Sequence, residues 1–198
     1  MIATIKTAPT NYPVDLKRVK QHLNIELGNT RDDDELEFLL QMATDEVEQR
    51  LRRRLITQTW YFYLFDWPDD DYIKLPFGQL QSVTAVKYTD TDGDESTFSA
   101  ADYYDVDTDS DPGRIVLKYG ENWPTETLQP KLPIEIEFVC GYGDDDADVP
   151  KPIRQAILLL IANDFENRES EVVGQGFSRL DTRADKRLLL KYQIRDQF

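Results

Sequence analysis

The sequence predicts an α+β fold, in which a helical bundle carries an antiparallel β module inserted between its second and third long helices. Two observations indicate this class. Apolar residues recur at helical spacing at both ends of the 198-residue chain, whereas apolar and polar residues alternate in its middle, between turn-forming segments. The predicted segments are an N-terminal helical part at 1–56, the β module at 57–143, a central helix at 144–170 that completes the bundle, and a hinge with a C-terminal helical arm at 171–198.

Two helices are predicted in the N-terminal segment. The first, in YPVDLKRVKQHLNI, has a proline at its start, where a helix tolerates it, and one apolar side. The second, in TRDDDELEFLLQMATDEVEQRLRRRL, has a longer apolar stripe at three- and four-residue steps. The residues of this stripe are Leu36, Leu39, Leu40, Ala43, Val47, Leu51 and Leu55. Aspartates at its start and arginines at its end match the helix dipole, which supports a long amphipathic helix.

The β module is predicted to contain five or six strands. The segment SVTAVKYTDTDGDESTF alternates apolar and polar residues around an Asp-Gly turn, which is typical of a hairpin. The other strand segments are TQTWYFYLF, YIKLP, GRIVLKYG and PIEIEFVCGYG. Alternation on most of these segments predicts one buried face and one solvated face.

The central helix, in VPKPIRQAILLLIANDFENRES, contains seven consecutive apolar residues. One side of this helix can face the core, but Leu158 and Leu159 point elsewhere. A helix that is apolar on all sides must be covered on all sides. We therefore expect the helix to be central in the chain and partly intersubunit, with Leu158 and Leu159 at the subunit contact.

Composition restricts the classes of function. The chain has 38 acidic and 23 basic residues, a formal charge of −15, and such a surface repels phosphate, so direct reading of a nucleic-acid sequence is not expected. Cys140 is the only cysteine, which excludes an internal disulfide and favours a buried, inert thiol. The N-terminus lacks a signal-peptide pattern, and the longest apolar run is too short for a bilayer. We expect an intracellular, soluble protein with no membrane contact.

Residues with catalytic or metal-binding spacing are not apparent. His22 is the only histidine, no nucleophile motif accompanies it, and no glycine-rich phosphate loop occurs. The turn DTDSDPG begins like a calcium-binding loop, but Gly113 comes one position late and Lys118 stands where the closing acid should be. We therefore expect no enzyme activity, no catalytic residues, no metal site and no cofactor. Weak cation binding by the acidic turns is left open.

Three motifs occur together in a characteristic order. They are LITQTW at a helix-to-strand junction, the hairpin segment LPFGQLQSVTAVKYTDTDG and the helix VPKPIRQAILLLIANDFENRE. This set resembles the head–tail connector (adaptor) proteins of long-tailed bacteriophages, prophages and gene transfer agents, over about residues 8–170. In that family a helical bundle holds an inserted β module, which is the order of segments predicted above.

The resemblance implies a structural role in the virion. It implies a ring, dodecameric in the virion, that lies at the head–tail junction beneath the portal protein and above the tail-completion (stopper) protein, after synthesis in the host bacterial cytoplasm. It also implies that DNA passes through the ring without sequence-specific binding. A neighbouring tail-completion protein is the first alternative, although such proteins tend to be shorter and more wholly β. A metal-dependent hydrolase that uses the acidic turns is the second alternative.

Two groups of residues are expected to make the contacts. The C-terminal arm follows the hinge glycines Gly174 and Gly176, and its apolar edge with a basic flank is expected to bind the portal. The expected portal-binding residues are Leu180, Arg183, Lys186, Arg187, Leu188, Lys191 and Tyr192. Besides Leu158 and Leu159, the expected intersubunit residues are Arg52 and Arg53, which would set the subunit register against the acids of a neighbour.

Overall fold

A computed structural model describes residues 1–166 and 187–194 of the chain. In these residues the chain forms helices and antiparallel sheets, which confirms the α+β class. The chain divides into two compact units, called here the sheet unit and the helical unit. The sheet unit contains Met1–Pro9, Arg52–Tyr142 and Ile194. The helical unit contains Thr10–Leu51 and residues 143–166 and 187–193.

The helical unit contains α1 (Leu16–His22), α2 (Asp33–Leu51) and α3 (Lys151–Glu166), and α3 packs against both of the others. The Asp15 carboxylate caps α1 by accepting the backbone N–H of Arg18 at 2.5 Å. The predicted stripe of α2 is buried. The helix ends four residues before the predicted end because Arg52 takes φ +56°, a left-handed conformation that stops a helix. No helix in the described ranges is long and apolar enough to cross a membrane.

The sheet unit contains two antiparallel sheets. The five-stranded sheet has the order β1 (Ile2–Thr7), β2 (Gln58–Leu64), β8 (Ile134–Cys140), β4 (Leu80–Thr89) and β5 (Glu95–Thr97). The three-stranded sheet has the order β3 (Tyr72–Lys74), β7 (Arg114–Leu117) and β6 (Tyr104–Asp107). The hairpin predicted from the Asp-Gly turn is the β4–β5 pair.

Alternation along the strands forms the core of the sheet unit. On β8, every second residue from Ile134 to Cys140 is fully buried and the residues between are half-buried. In the register with β2, Ile136 lies opposite Phe62, which is also buried. Cys140 is buried, as predicted.

The structure differs from the prediction at the N-terminus. Residues 2–7, assigned above to the helical segment, form β1 and pair with β2, so that Ala3 lies opposite Phe62. The partner strand begins more than fifty residues later, so no local pattern could reveal this pairing. The strand β6 was not predicted either. Together, β1 and β6 raise the number of strands in the described residues to eight, whereas five or six strands were predicted.

Candidate functional site

The turn after β6 is held by its own hydrogen bonds. The Asp107 carboxylate accepts the backbone N–H groups of Asp109 and Ser110 at 3.1 and 3.0 Å and the Ser110 hydroxyl at 2.6 Å. It also accepts a hydrogen bond from Nε–H of Arg114, at 2.8 Å. These hydrogen bonds lower the pKa of Asp107 to about 2. The bond from the Ser110 hydroxyl has the largest effect, and the bond from Arg114 comes next. The carboxylate that would begin a calcium loop therefore serves the turn itself. Across residues 1–166 and 187–194, no three His, Cys, Asp or Glu side chains group as a metal site.

The three arginines after α2 occupy different environments. Arg53 is 4% exposed and forms an ion pair with Asp111 inside the sheet unit. The Arg54 guanidinium lies over the rings of Trp60 and Phe77, 4.7 and 4.2 Å from their centroids. Arg52 is exposed. Of the two arginines predicted at the subunit contact, only Arg52 presents an exposed side chain, because Arg53 is engaged within its own chain.

The two leucines of α3 that were predicted at the subunit contact also differ in burial. Leu158 is 3% exposed and is buried within its own chain, together with Ile153, Ala156, Ile157 and Ile161. Leu159 is half-buried. Much of the apolar surface of α3 is therefore covered by the chain itself. A contact between subunits at Leu159 stays a prediction, and Leu158 is a core residue in the isolated chain.

The C-terminal arm is described only at 187–194. The predicted residues Leu180, Arg183 and Lys186 lie outside the described residues. Arg187 and Lys191 are exposed, whereas Leu188 and Tyr192 are half-buried, and Nζ of Lys191 lies 6.0 Å from the Tyr192 ring centroid.

Two residues of the same arm that were not predicted to anchor it are buried. Leu189 and Ile194 are each 5% exposed. Ile194 packs so close to Gly78 that a Cβ atom at that glycine would lie 2.8 Å from its Cδ1. Ile194, the last described residue of the arm, therefore packs within the sheet unit of its own chain.

An exposed apolar pair on α2 was missed by the sequence analysis. Phe38 and Met42 are 59% and 46% exposed, and they lie one helical turn apart. Their position in the sequence could have revealed this exposure, because both residues fall outside the buried stripe that contains Leu39 and Ala43. Apolar residues on the solvated side of a helix are candidates for a protein–protein contact.

The outer face of the five-stranded sheet is polar and internally compensated. Nζ of Lys6 lies 2.7 Å from a Glu137 carboxylate oxygen and 5.0 Å from the Tyr61 ring centroid. Hydrogen bonds to Glu137 and then Tyr61 raise the pKa of Lys6. Burial raises the pKa of Tyr63, and a hydrogen bond with Glu135 raises it further. The side chains of this face on β2 and β8 are half-buried, so the alternation predicted the buried face but the solvated face only in part.

The amino-acid sequence matches the model of one protein family. The model of the phage gp6-like head-tail connector protein family matches residues 13–111, which is half of the chain. The chain belongs to this family. Its members are structural proteins of the virion and not enzymes, which confirms both the resemblance and the non-enzymatic role. No curated protein matches the sequence.

The fold is similar to proteins in gene transfer agent (GTA) particles. A chain from the virion of a native GTA particle is 23% identical, with a TM-score of 0.79, and the match covers 100% of this chain and 98% of that one. A chain from the neck of an empty GTA particle computed with C6 symmetry is 21% identical, with a TM-score of 0.78 and the same coverage. A third, from the neck of a native GTA particle computed with C12 symmetry, is 23% identical with a TM-score of 0.77. At these identities the likeness shows the fold.

Proposed function

We propose that the chain is a subunit of a connector ring at the head–tail junction of a virion, where it joins the portal protein to the tail-completion protein. Membership of the connector family carries this proposal. The fold likeness supports it because it extends over the full chain, and because the similar chains come from particle necks computed with sixfold and twelvefold symmetry. A dodecamer is the ring size that fits these symmetries.

The C-terminal arm is the proposed portal-binding element. Within its described residues, Arg187 and Lys191 are exposed cations in a strongly acidic chain. Cations on an acidic protein suit a partner surface of opposite charge, and they speed association more than they add affinity. Because Ile194 rests on the sheet unit, deletion of the whole arm would disturb the fold as well as the contact. Point substitutions therefore test the proposal better than truncation.

The test of the connector role is co-assembly with the portal protein encoded in the same genome. We expect the full-length chain to bind portal rings, and electron microscopy of the complex to place a ring of this chain on the tail-facing side of the portal. A chain that neither binds the portal nor forms a ring with it would contradict the proposal.

The test of the arm uses the double variant Arg187→Glu with Lys191→Glu. We expect an unchanged melting temperature and weaker portal binding, because both side chains are exposed. Lys131→Glu is the matched control, since it reverses an exposed charge in the sheet unit. Portal binding that equals that of the wild type would show that these two residues do not contact the portal.

A further inference from the structure

An apolar cavity, called here the sheet cavity, opens on the sheet unit beside the edge strand β1. It has a volume of about 390 Å³, and its walls include the buried side chains of Phe62, Leu64 and Ile73. Met1, which is 72% exposed, also lines it. A cavity with apolar walls that opens to solvent suits a bulky apolar side chain from another molecule.

The backbone of β1 is unpaired on its outer side. The strand lies at the end of the five-stranded sheet, and within the described ranges its backbone forms hydrogen bonds to β2 alone. Ile2 and Ile5 are 44% and 48% exposed, and the register between them is regular. The strand has no proline, and its one charged residue, Lys6, forms an ion pair with Glu137. An edge with these properties accepts a further strand.

The sheet cavity and the edge of β1 lie on the same part of the sheet. Ala3 is opposite Phe62 in the register, and Leu64 is on the same side of β2 as Phe62. The cavity therefore opens on the core side of the β1–β2 pair. A strand added along β1 presents every second side chain to that side, so a single segment can hydrogen-bond to β1 and place a side chain in the cavity.

The turn that borders the cavity is acidic. Asp66 and Asp70 line the cavity, and Asp69 and Asp71 belong to the same turn. All four are exposed, and among the residues that the structure describes their carboxylates form no ion pair. Lys74 is the one cation among the described residues of the lining. This excess of negative charge favours a segment that carries Lys or Arg, and it disfavours a second copy of a chain whose charge is −15.

We propose that β1 and the sheet cavity bind an extended segment of a partner protein, in which a bulky apolar side chain fills the cavity and a neighbouring Lys or Arg meets the aspartates of the turn. The inference rests on the proposed function. Because the C-terminal arm is assigned to the portal, the partner at this surface is the tail-completion protein. Backbone hydrogen bonds to β1 provide affinity, whereas the cavity and the acids select the segment.

A photochemical cross-link tests the position of the segment. The residue p-benzoylphenylalanine replaces Ile5 in the full-length chain, and the portal-bound chain is irradiated with the tail-completion protein encoded in the same genome. Ile5 is 48% exposed, so the replacement should leave the core intact. We expect a covalent product with the tail-completion protein, and mass spectrometry should locate it in a segment with Lys or Arg beside a bulky apolar residue. The same replacement at the fully exposed Tyr119 is the control and should give no such product.

Charge reversal tests the acidic turn. Asp69 and Asp70 are exposed, so Asp69→Lys with Asp70→Lys should leave the melting temperature unchanged. We expect the dissociation constant for the tail-completion protein to rise by about tenfold or more, and the rise to shrink between about 50 mM and 500 mM salt. Asp102→Lys with Glu121→Lys is the matched control, because it reverses two exposed acids elsewhere in the sheet unit. Surface plasmon resonance on the portal-bound chain measures both variants.

Three outcomes overturn this surface and leave the connector role intact when the chain still binds the portal. The first is a folded charge-reversal variant that binds the tail-completion protein as tightly as the control. The second is a cross-link from position 5 to a second copy or to the portal protein, or none at all. The third is a cross-linked segment without a cation beside an apolar residue. A chain that binds neither the portal nor the tail-completion protein overturns the proposed function as well.

Discussion

Asp107 fixes the turn that follows it with both oxygens of its carboxylate. The bonds from Ser110 and Arg114 explain why an acidic run that begins like a calcium loop adopts a different shape. Asp111, in the same run, is paired with the buried Arg53. Individual acids in this chain therefore have structural partners that their spacing does not reveal.

The lowered pKa of Asp107 leads to a prediction about pH. Its folded-state pKa is about 2, against an ordinary value of 3.8, so its contribution to stability is present above about pH 4 and is lost as the pH falls toward 2. We expect Asp107→Asn to lower the melting temperature at neutral pH, and the gap from the wild type to narrow from about pH 4 to pH 2. Thermal unfolding at a series of pH values measures this. Asp109→Asn is the control, and a gap that stays constant down to pH 2 would contradict the assignment.

Asp111→Ala tests the internal role of Arg53. Because the Arg53 side chain is buried, loss of its carboxylate partner is expected to lower the free energy of unfolding by about 2 kcal/mol. Urea denaturation of the full chain measures the change. Asp102→Ala removes an exposed carboxylate elsewhere in the sheet unit and should have little effect. Equal stabilities of the two variants would show that the ion pair contributes nothing.

At the scale of elements, neighbouring leucines of α3 have different surroundings. Leu158 is 3% exposed, so Leu158→Ala is expected to lower the free energy of unfolding by about 2–5 kcal/mol, as core truncations do. Leu159 is half-buried, so Leu159→Gln should leave a folded chain that no longer assembles into rings. Denaturant unfolding and a size measurement on both variants check this pair. An unfolded or aggregated Leu159→Gln protein would count against the intersubunit position of Leu159.

The same elements show how far the sequence could predict the fold. The stripe of α2 and the hairpin of β4 and β5 were predictable because their signals repeat within a few residues. The strand β1 was not, because its partner is distant in sequence. The proximity of Arg18 and Lys151 was not predictable either, since only the packing of α1 with α3 brings them to one cavity. The family resemblance could be recognised from the order of the motifs, whereas the exposure of Leu159 and Arg52 could be read only from the three-dimensional structure.

At the scale of the whole molecule, the negative net charge disfavours binding to DNA. Tight binding of DNA requires cations that neutralise phosphates, and this chain has 38 acidic residues against 23 basic ones. We expect no mobility shift of double-stranded DNA at micromolar protein, even at about 50 mM salt, where phosphate contacts are strongest. A shift that disappears with added salt would contradict a ring through which DNA passes without binding.

The division of the chain between its units has a consequence for synthesis on the ribosome. All eight strands in the described residues precede α3, so the sheets can pair while α2 still lacks the helix that covers it. The 24 residues from Gly143 to Glu166 take a few seconds to translate, at roughly 5–20 residues per second. During that interval the apolar side of α2 is open to other nascent chains. The translation of α3 thus ends the period in which the apolar side of α2 lacks the helix that covers it.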